Sequence, residues 1–439
     1  MGSYIPSTEH QVRQMLDAIG VSSVEDLFQA IPDDVRLSRP LDLPAGASEM
    51  ELGEKMRALA EKNTVFQTVL RGAGAYRHYI PAIVKYVTAK EEFVTAYTPY
   101  QAEISQGILQ SIFEYQTMIC SLTGMDVSNA SVYDGASAAA EAAAMVRTAR
   151  RDRALVSAAA HPDVIATMRT YVEGAGGRLD VIPAADGATD LDALRAMIDE
   201  TVSCVYAQQP NFFGIIEDAE ALGACAHEGG AKFVMGVNPI SLALLKTPAD
   251  CGADIAVGEG QPLGMPLSYG GPYLGFMAAK SPLMRKLPGR IVGQTTDAEG
   301  KRAFVLTLQA REQHIRREKA SSNICSNQAL CAMTAAVYMA AMGASGMAEV
   351  ARQCVAKAHY LADRLCEIDG VERLHAGEFF HEFATSLPVP AETVLAALER
   401  AGILGGLPIA GGVLWCVTEM VGKDALDAAV EIVRAACRA

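Results

Sequence analysis

Apolar segments that alternate with amphipathic ones dominate the middle of the sequence. Between residues 154 and 257, short runs with the composition of buried strands alternate with helix-like segments. The predicted strands are 154–157, 179–183, 203–207, 232–237 and 254–257, and the predicted helices are 162–174, 191–200 and 219–229. Apolar strands connected by helices are typical of parallel sheets, because the crossover helices cover both faces. The sequence therefore predicts an α/β fold with a doubly wound parallel sheet.

The chain of 439 residues is too long for one ordinary domain. Its first 90 residues have helical periodicity, and helices and short strands alternate again after residue 320. We expect an N-terminal helical arm (1–90), a large α/β domain (91–320) and a small C-terminal α/β domain (321–439).

Charge excludes several classes of partner. The 51 acidic and 37 basic residues give a net charge of −14, which repels a phosphate backbone and an anionic membrane surface. We expect neither a nucleic-acid nor a membrane partner. The apolar segment 332–348 consists largely of Ala, Met and Gly, which favours a buried helix packed through small residues over a membrane span.

The cysteines and the first residues of the chain indicate the cellular compartment of the protein. The ten cysteines are scattered singly, with no Cys-x-x-Cys pair and no Cys/His cluster at zinc spacing. We expect reduced thiols and no metal site. The opening residues carry Pro6 and Glu9 where a secretory signal has an apolar run. We therefore expect a cytoplasmic protein.

The order of a parallel-sheet domain and a smaller α/β domain suits pyridoxal-phosphate (PLP) enzymes of the aspartate-aminotransferase type, fold type I. Such an enzyme forms a Schiff base with a lysine in the turn after a late strand of the large domain. Here that turn follows the predicted strand 254–257, and no lysine occurs between Lys246 and Lys280. The architecture indicates PLP, but this chain lacks the nucleophile. Signatures of P-loop proteins, esterases and zincins are also absent from the sequence.

Three other segments each have two interpretations. Residues 134–137 combine an acid, a glycine and a hydroxyl at the start of a predicted helix, which suits either an anion site or a helix cap. Residues 97–103 are dense in hydroxyls and form either a pocket wall or part of the core. The charged run 311–319 either binds a carboxylate or phosphate or forms a solvated face.

Motifs spread over nearly the whole chain resemble those of a known family. They are residues 15–20, 26–27, 31–32, 95–101, 115–118, 122–125, 129–131, 270–272 and 275–276, and the longest is 309–320, continued by 322–325. The chain resembles the P-protein family of the glycine cleavage system in its two-subunit form. The sequence Asp134-Gly135-Ala136-Ser137 looks like this split form, since the fused form has Asp-Glu-Gly-Thr there. The lysine-bearing members have a His-Lys pair near the position of Gln261-Pro262, so the missing lysine agrees with the resemblance.

The resemblance implies a divided active site. It implies that PLP is bound covalently by the partner, glycine dehydrogenase subunit 2, in an α2β2 heterotetramer. The joint activity would be that of glycine dehydrogenase (decarboxylating), an oxidoreductase: glycine is decarboxylated, CO2 is released, and the aminomethyl group passes to the lipoyl arm of the H-protein.

The resemblance also suggests roles for particular residues, which we state as hypotheses. The pocket wall over the partner's cofactor is assigned to Tyr97, Tyr100 and Gln101. Cofactor binding, through the phosphate or through an interface helix, is assigned to Asp134 and Ser137. Binding of a substrate carboxylate, or support of the interface, is assigned to Arg316, Arg317 and Lys319.

Two rival functions remain open at the level of sequence. One is a complete PLP enzyme that uses Lys246 or another lysine, and it predicts bound cofactor in the isolated chain. The other is a non-catalytic scaffold that only stabilises subunit 2, and it predicts that substitutions in the pocket wall are harmless.

Overall fold

A computed structural model describes residues 6–37, 39–94, 98–309, 312–324 and 327–438. The chain divides into two compact units, Met1–Thr64 and Val65–Ala439, here called the N-terminal unit and the main unit. The predicted domain boundaries at residues 90 and 320 stay predictions.

The helices and strands follow one another as the alternating pattern predicts. The helices are α1 (Glu9–Ile19), α2 (Glu49–Ala60), α3 (Ala82–Thr88), α4 (Glu91–Val94), α5 (Gln106–Thr123), α6 (Gly135–Val146), α7 (Pro162–Gly174), α8 (Leu191–Met197), α9 (Ala219–Glu228), α10 (Gln313–Arg316), α11 (Ala329–Cys366), α12 (Ala391–Arg400) and α13 (Lys423–Arg438). The strands are β1 (Thr68–Val69), β2 (Val127–Ser128), β3 (Arg153–Ser157), β4 (Arg178–Ile182), β5 (Ala184–Ala185), β6 (Ala188–Thr189), β7 (Val202–Gln209), β8 (Lys232–Val237), β9 (Ile255–Glu259), β10 (Gly275–Ala279), β11 (Ile291–Thr296), β12 (Arg302–Thr307), β13 (Glu382–Thr385), β14 (Ile403–Leu404), β15 (Leu407–Ile409) and β16 (Gly412–Cys416).

The N-terminal unit contains α1 and α2, and each begins with a capping box. Thr8 Oγ1 accepts the N–H of Gln11, and Ser48 Oγ accepts the N–H of Glu51, both over 3.3 Å. These caps satisfy N–H groups that a helix start leaves without partners. None of the described residues of this unit is buried. Both helices thus begin with a complete cap, but the described residues of the unit form no core.

A seven-stranded sheet forms the centre of the main unit, in the order β2-β10-β9-β8-β7-β3-β4. Strands β3, β4, β7, β8 and β9 are parallel, whereas β10 runs antiparallel to both β9 and β2. The predicted doubly wound parallel sheet is confirmed.

Alternate side chains of the central strands enter two hydrophobic cores. Leu155 and Val205 pack on the face covered by α5, α9 and α11. Their neighbours Val156 and Tyr206 pack on the other face, which α6 and α7 cover. Because both faces are covered, consecutive positions inside these strands are apolar, as in 154–156 of β3 and 204–207 of β7, and this is the pattern visible in the sequence.

Helix α11 is long and apolar enough to cross a membrane by length and composition. Its side chains Ala332, Tyr338 and Ala351 are buried in the core beside the large sheet, and Leu361 is buried beside the C-terminal strands. The expected burial through small residues holds at the start of the apolar segment, at Ala332, Ala335 and Ala336, whereas residues 340–341 and 343–345 are exposed. For this segment as a whole the expectation of a buried helix stays a prediction.

The C-terminal strands form a separate antiparallel sheet, in the order β13-β16-β15. Strand β13 begins at Glu382, because the chain just before it pairs elsewhere. Phe380 donates its N–H to the carbonyl of Gly214, and Ile216 donates to Glu378. This pairing brings β13 next to the loop that follows β7, close to the candidate site.

Candidate functional site

A cavity of about 580 Å3 opens at the carboxyl ends of β3, β7, β8 and β9, where ligands bind in parallel α/β sheets. Among its described lining residues are Tyr76, Tyr133, Asp134, Gly135, His161, Asp163, Gln208, Asn238, Glu259, His381 and Glu382. Four of these carry a carboxyl group, and the described lining contains no lysine or arginine. The cavity therefore favours neutral or cationic groups over anions.

The segment at residues 134–137 forms the cap of α6. Asp134 Oδ1 accepts the N–H of Ser137 over 2.7 Å, as an N-cap acid does. Ser137 is buried with 8 % of its surface exposed, while Asp134 lines the cavity. The structure thus displays the capping interaction, and the hypothesis that these two residues contact a cofactor phosphate stays a prediction.

A second carboxylate reaches the same helix N-terminus from β9. Glu259 Oε2 accepts the N–H of Gly135 over 3.0 Å, and Oε1 accepts the N–H groups of Gln261 and Leu274, both over 2.9 Å. Burial raises the pKa of Glu259 to about 7, opposed by these hydrogen bonds. A Cβ at Gly135 would lie 2.8 Å from the backbone nitrogen of Glu259, so only glycine permits this approach.

Gln261 occupies the turn after β9, where a PLP enzyme of this fold carries its lysine. Its Oε1 accepts the N–H of Tyr76 over 2.8 Å, and its Nε2 donates to the carbonyls of Tyr76 and Met265. Gln261 is 1 % exposed, so its amide serves the packing of the turn. With an internal carboxylate at the N-terminus of α6 and no lysine in the turn, the residues of this cavity do not fit PLP.

The opposite wall of the cavity comes from the C-terminal sheet. Glu382 Oε2 accepts the Tyr76 hydroxyl over 2.7 Å, and Oε1 accepts the N–H of Ala73 over 2.6 Å. Burial raises the pKa of Glu382 to about 7. The neighbouring His381 is 1 % exposed, and burial lowers its pKa, so its ring is neutral. In the described part of the chain its ring nitrogens have no hydrogen-bond partner.

A second cluster joins the hydroxyl-rich segment to β11. Arg290 Nη2 donates to Thr98 Oγ1 and to the Tyr100 hydroxyl, each over 3.3 Å, and the guanidinium lies 5.3 Å from the centre of the Tyr100 ring. Arg290 is 5 % exposed and Tyr100 is 49 % exposed. Gln101 is exposed, and Tyr97 lies outside the described residues. Of the three predicted wall residues, Tyr100 thus takes part in a described polar cluster.

Sequence reasoning missed Arg290. A single arginine before an apolar strand carries no distinctive signal, because such a residue usually marks the solvated end of the strand. Arg290 becomes notable only when the fold buries it against Thr98 and Tyr100.

The predicted cationic residues of the 311–319 run lie at the surface. Arg316 ends α10, and Arg317 and Lys319 belong to the 3-10 turn that follows. All three are exposed, and none is among the described lining residues of the cavity. Their assignment to a substrate carboxylate or to an interface stays a prediction.

Comparisons with known proteins agree on one family. Residues 2–433 match the family model described as glycine cleavage system P-protein. The chain is 51 % identical over 434 residues to a probable glycine dehydrogenase (decarboxylating) subunit 1 of Desulforamulus reducens, covering 97 % of each chain. It is 50 % identical to a protein of the same description from Carboxydothermus hydrogenoformans, covering 98 % of each.

Solved structures give the same result at the level of the fold. The crystal structure of a glycine decarboxylase (P-protein) of the glycine cleavage system, in inhibitor-bound form, superposes with a TM-score of 0.94 at 44 % identity, covering 99 % of this chain and 100 % of that one. A sphingosine-1-phosphate lyase of Burkholderia pseudomallei superposes with a TM-score of 0.68 at 17 % identity, covering 91 % and 93 %. The second likeness concerns the fold alone, which is that of PLP-dependent enzymes of fold type I.

Proposed function

Because the chain belongs to the glycine cleavage system P-protein family, we propose that it is the subunit without the Schiff-base lysine and that it works with a second, lysine-bearing subunit. In this proposal PLP is bound covalently by glycine dehydrogenase subunit 2. The two chains together decarboxylate glycine, release CO2 and transfer the aminomethyl group to the lipoyl arm of the H-protein. The assembly is an α2β2 heterotetramer in the cytoplasm.

The turn after β9 carries this proposal. Gln261 occupies the position at which a PLP enzyme of this fold needs its lysine. The carboxyl group of Glu259 accepts the N–H of Gly135 at the N-terminus of α6, and the cofactor phosphate would need this helix N-terminus to be free. Two independent requirements of PLP are thus unmet in this chain, although its fold is that of PLP enzymes. A divided site, with the cofactor on the partner, accounts for both.

Exposed apolar side chains of the N-terminal unit support the proposal of a partner subunit. Leu27, Phe28, Leu52 and Leu59 are about half exposed (48, 49, 54 and 53 %), and no described residue of the unit is buried. Exposed apolar side chains in a unit whose described residues form no core suit a surface that binds another protein. We assign these exposed side chains to the contact with subunit 2, since the relatives of this chain are themselves described as subunit 1.

Borohydride reduction tests where the cofactor resides. The purified chain is incubated with PLP, alone and together with subunit 2, then reduced and measured by visible absorbance, native mass and peptide mapping. We expect no covalent adduct on the chain alone, and a heteromer whose adduct maps to subunit 2. An adduct on this chain would overturn the proposal, and its peptide would identify the lysine.

A further inference from the structure

Among the described residues, the buried cation Arg290 has no acidic partner. It is 5 % exposed, and its described contacts are the two hydroxyls of Thr98 and Tyr100 and the ring of Tyr100. The residues outside the described ranges include no aspartate or glutamate. By contrast, the largely buried guanidinium of Arg153 pairs with Asp180 at 2.5 Å and with Asp199 at 3.0 Å.

Neutral hydroxyls do not compensate a buried guanidinium. Taking this charge out of water is costly unless an anion pairs with it. Both hydroxyl contacts are long, at 3.3 Å, whereas charge-assisted hydrogen bonds are typically shorter. Arg290 Nε is buried and has no hydrogen-bond partner in the described chain. The side chain therefore retains donor capacity for an oxyanion that this structure does not supply.

The backbone at Arg290 is held in a defined place. The carbonyl of Arg290 accepts the N–H of Ala130 over 2.7 Å. The preceding Gly289 has a φ of +76°, and a Cβ there would lie 2.8 Å from the carbonyl oxygen of Ser131. Arg290 then continues into β11, which pairs with β12. Since its backbone is fixed and its guanidinium contacts Thr98 and Tyr100, the cation is preorganised for binding.

We propose that Arg290, with the hydroxyls of Thr98 and Tyr100, binds the carboxylate of the amino-acid substrate. One guanidinium between neutral hydroxyls balances a single negative charge, which suits a carboxylate better than a phosphate dianion. The half-exposed Tyr100 forms the outer side of this site, and Arg290 forms its inner side. The inference rests on the proposed function, in which that substrate is glycine and the site faces the partner's cofactor.

Equilibrium binding to the reconstituted two-subunit complex tests the inference. The ligands are glycine, acetate as a carboxylate without an amine, and methylamine as an amine without a carboxylate, each measured by isothermal titration calorimetry. The variants are Arg290→Gln and Arg290→Lys. The matched control is Arg302→Gln, because Arg302 is an exposed arginine on the adjacent strand β12, over the ring of Phe304.

We expect Arg290→Gln to weaken the binding of glycine and acetate roughly 10- to 100-fold, the loss typical of a hydrogen-bonded charge pair. Methylamine binding stays unchanged. Arg290→Lys restores part of the affinity, since lysine keeps the charge but not the planar fork. Arg302→Gln binds all three ligands as the wild type does.

Other outcomes distinguish a failure of the inference about Arg290 from a failure of the proposed function. If the wild-type complex binds glycine and Arg290→Gln binds it equally well, the inference is wrong while the proposed function stands. If both Arg290 variants fold by circular dichroism but fail to assemble, Arg290 pairs with an acidic group of the partner, and the inference is overturned. If the wild-type complex binds no glycine, the proposed function fails and the inference fails with it.

Discussion

The carboxylate of Glu259 and the backbone N–H of Gly135 meet over 3.0 Å at the N-terminus of α6. This helix start, with its unpaired N–H groups and positive dipole end, is the natural anion site of a parallel α/β fold. Here the carboxyl group of Glu259, a side chain of the same protein, occupies that position. The arrangement keeps the fold of a PLP enzyme while closing the position that its phosphate would need.

Removing the carboxyl group of Glu259 should make the N-terminus of α6 available to another anion. We expect Glu259→Ala to gain measurable binding of inorganic phosphate, because the N–H of Gly135 loses its acceptor. The isolated chain is titrated with phosphate by isothermal titration calorimetry, and the wild type should show no binding. Asp163→Ala is the matched control, because it removes another carboxylate of the cavity without freeing that N–H. Equal phosphate binding by the wild type, or none by a folded Glu259→Ala protein, would contradict this account.

The buried Glu382 should make stability depend on pH. Its pKa is about 7 in the folded chain and 4.5 in a model peptide, so the folded state binds its proton more tightly than the unfolded state. The free energy of unfolding therefore falls as pH rises from about 4.5 to 7, by up to about 3 kcal/mol from this group. Glu382→Gln should remove this part of the pH dependence.

Tryptophan fluorescence in urea measures this effect. Trp415, the single tryptophan of the chain, is 1 % exposed on β16, and β16 pairs with the strand that carries Glu382. Unfolding curves at pH 5 and pH 8 give the two free energies. The exposed Glu392→Gln on α12 should keep the wild-type difference between them. An unchanged difference in Glu382→Gln would show that this carboxyl group is not the source.

The hydroxyls of Tyr97 and Tyr100 are expected to contribute to turnover. Replacing either tyrosine by phenylalanine should lower turnover of the two-subunit complex about tenfold, the loss of one hydrogen bond in a polar site. Assembly, measured by native mass, should remain intact. Tyr86→Phe is the control, because Tyr86 is an exposed tyrosine of α3 (65 %). Unchanged turnover in both variants would remove these residues from the site.

The apolar surface of α2 should be required for assembly. Leu52→Glu and Leu59→Glu each place a charge on a side chain that is half exposed in this chain. We expect each to weaken binding to subunit 2 about tenfold or more, because the charge would be buried at the interface. Analytical ultracentrifugation measures the affinity. Glu54→Gln, an exposed change on the same helix, should leave it unaltered, and the thermal melt of all three variants should match the wild type.

Local features of the chain were predictable because their causes are local. The apolar runs of β3, β7 and β8, the small-residue helix α11 and the cap at Asp134 depend on neighbouring residues and on periodicity. The missing lysine after β9 was also visible, since it depends on one short turn. The start of β13 at Glu382 has no such local cause, because it depends on the pairing of the preceding residues with the distant loop at Gly214.

The sequence by itself determined the fold class, the family resemblance and the absence of a Schiff-base lysine. Only the tertiary structure decided which side chains lie at the N-terminus of α6 and around Arg290. Gly135 and Glu259 are 124 residues apart, and Thr98 and Arg290 are 192 apart. No periodicity or spacing predicts such contacts, because they arise when the sheet brings the ends of distant segments to one edge. The same folding leaves Arg316, Arg317 and Lys319 at the surface and buries Arg290.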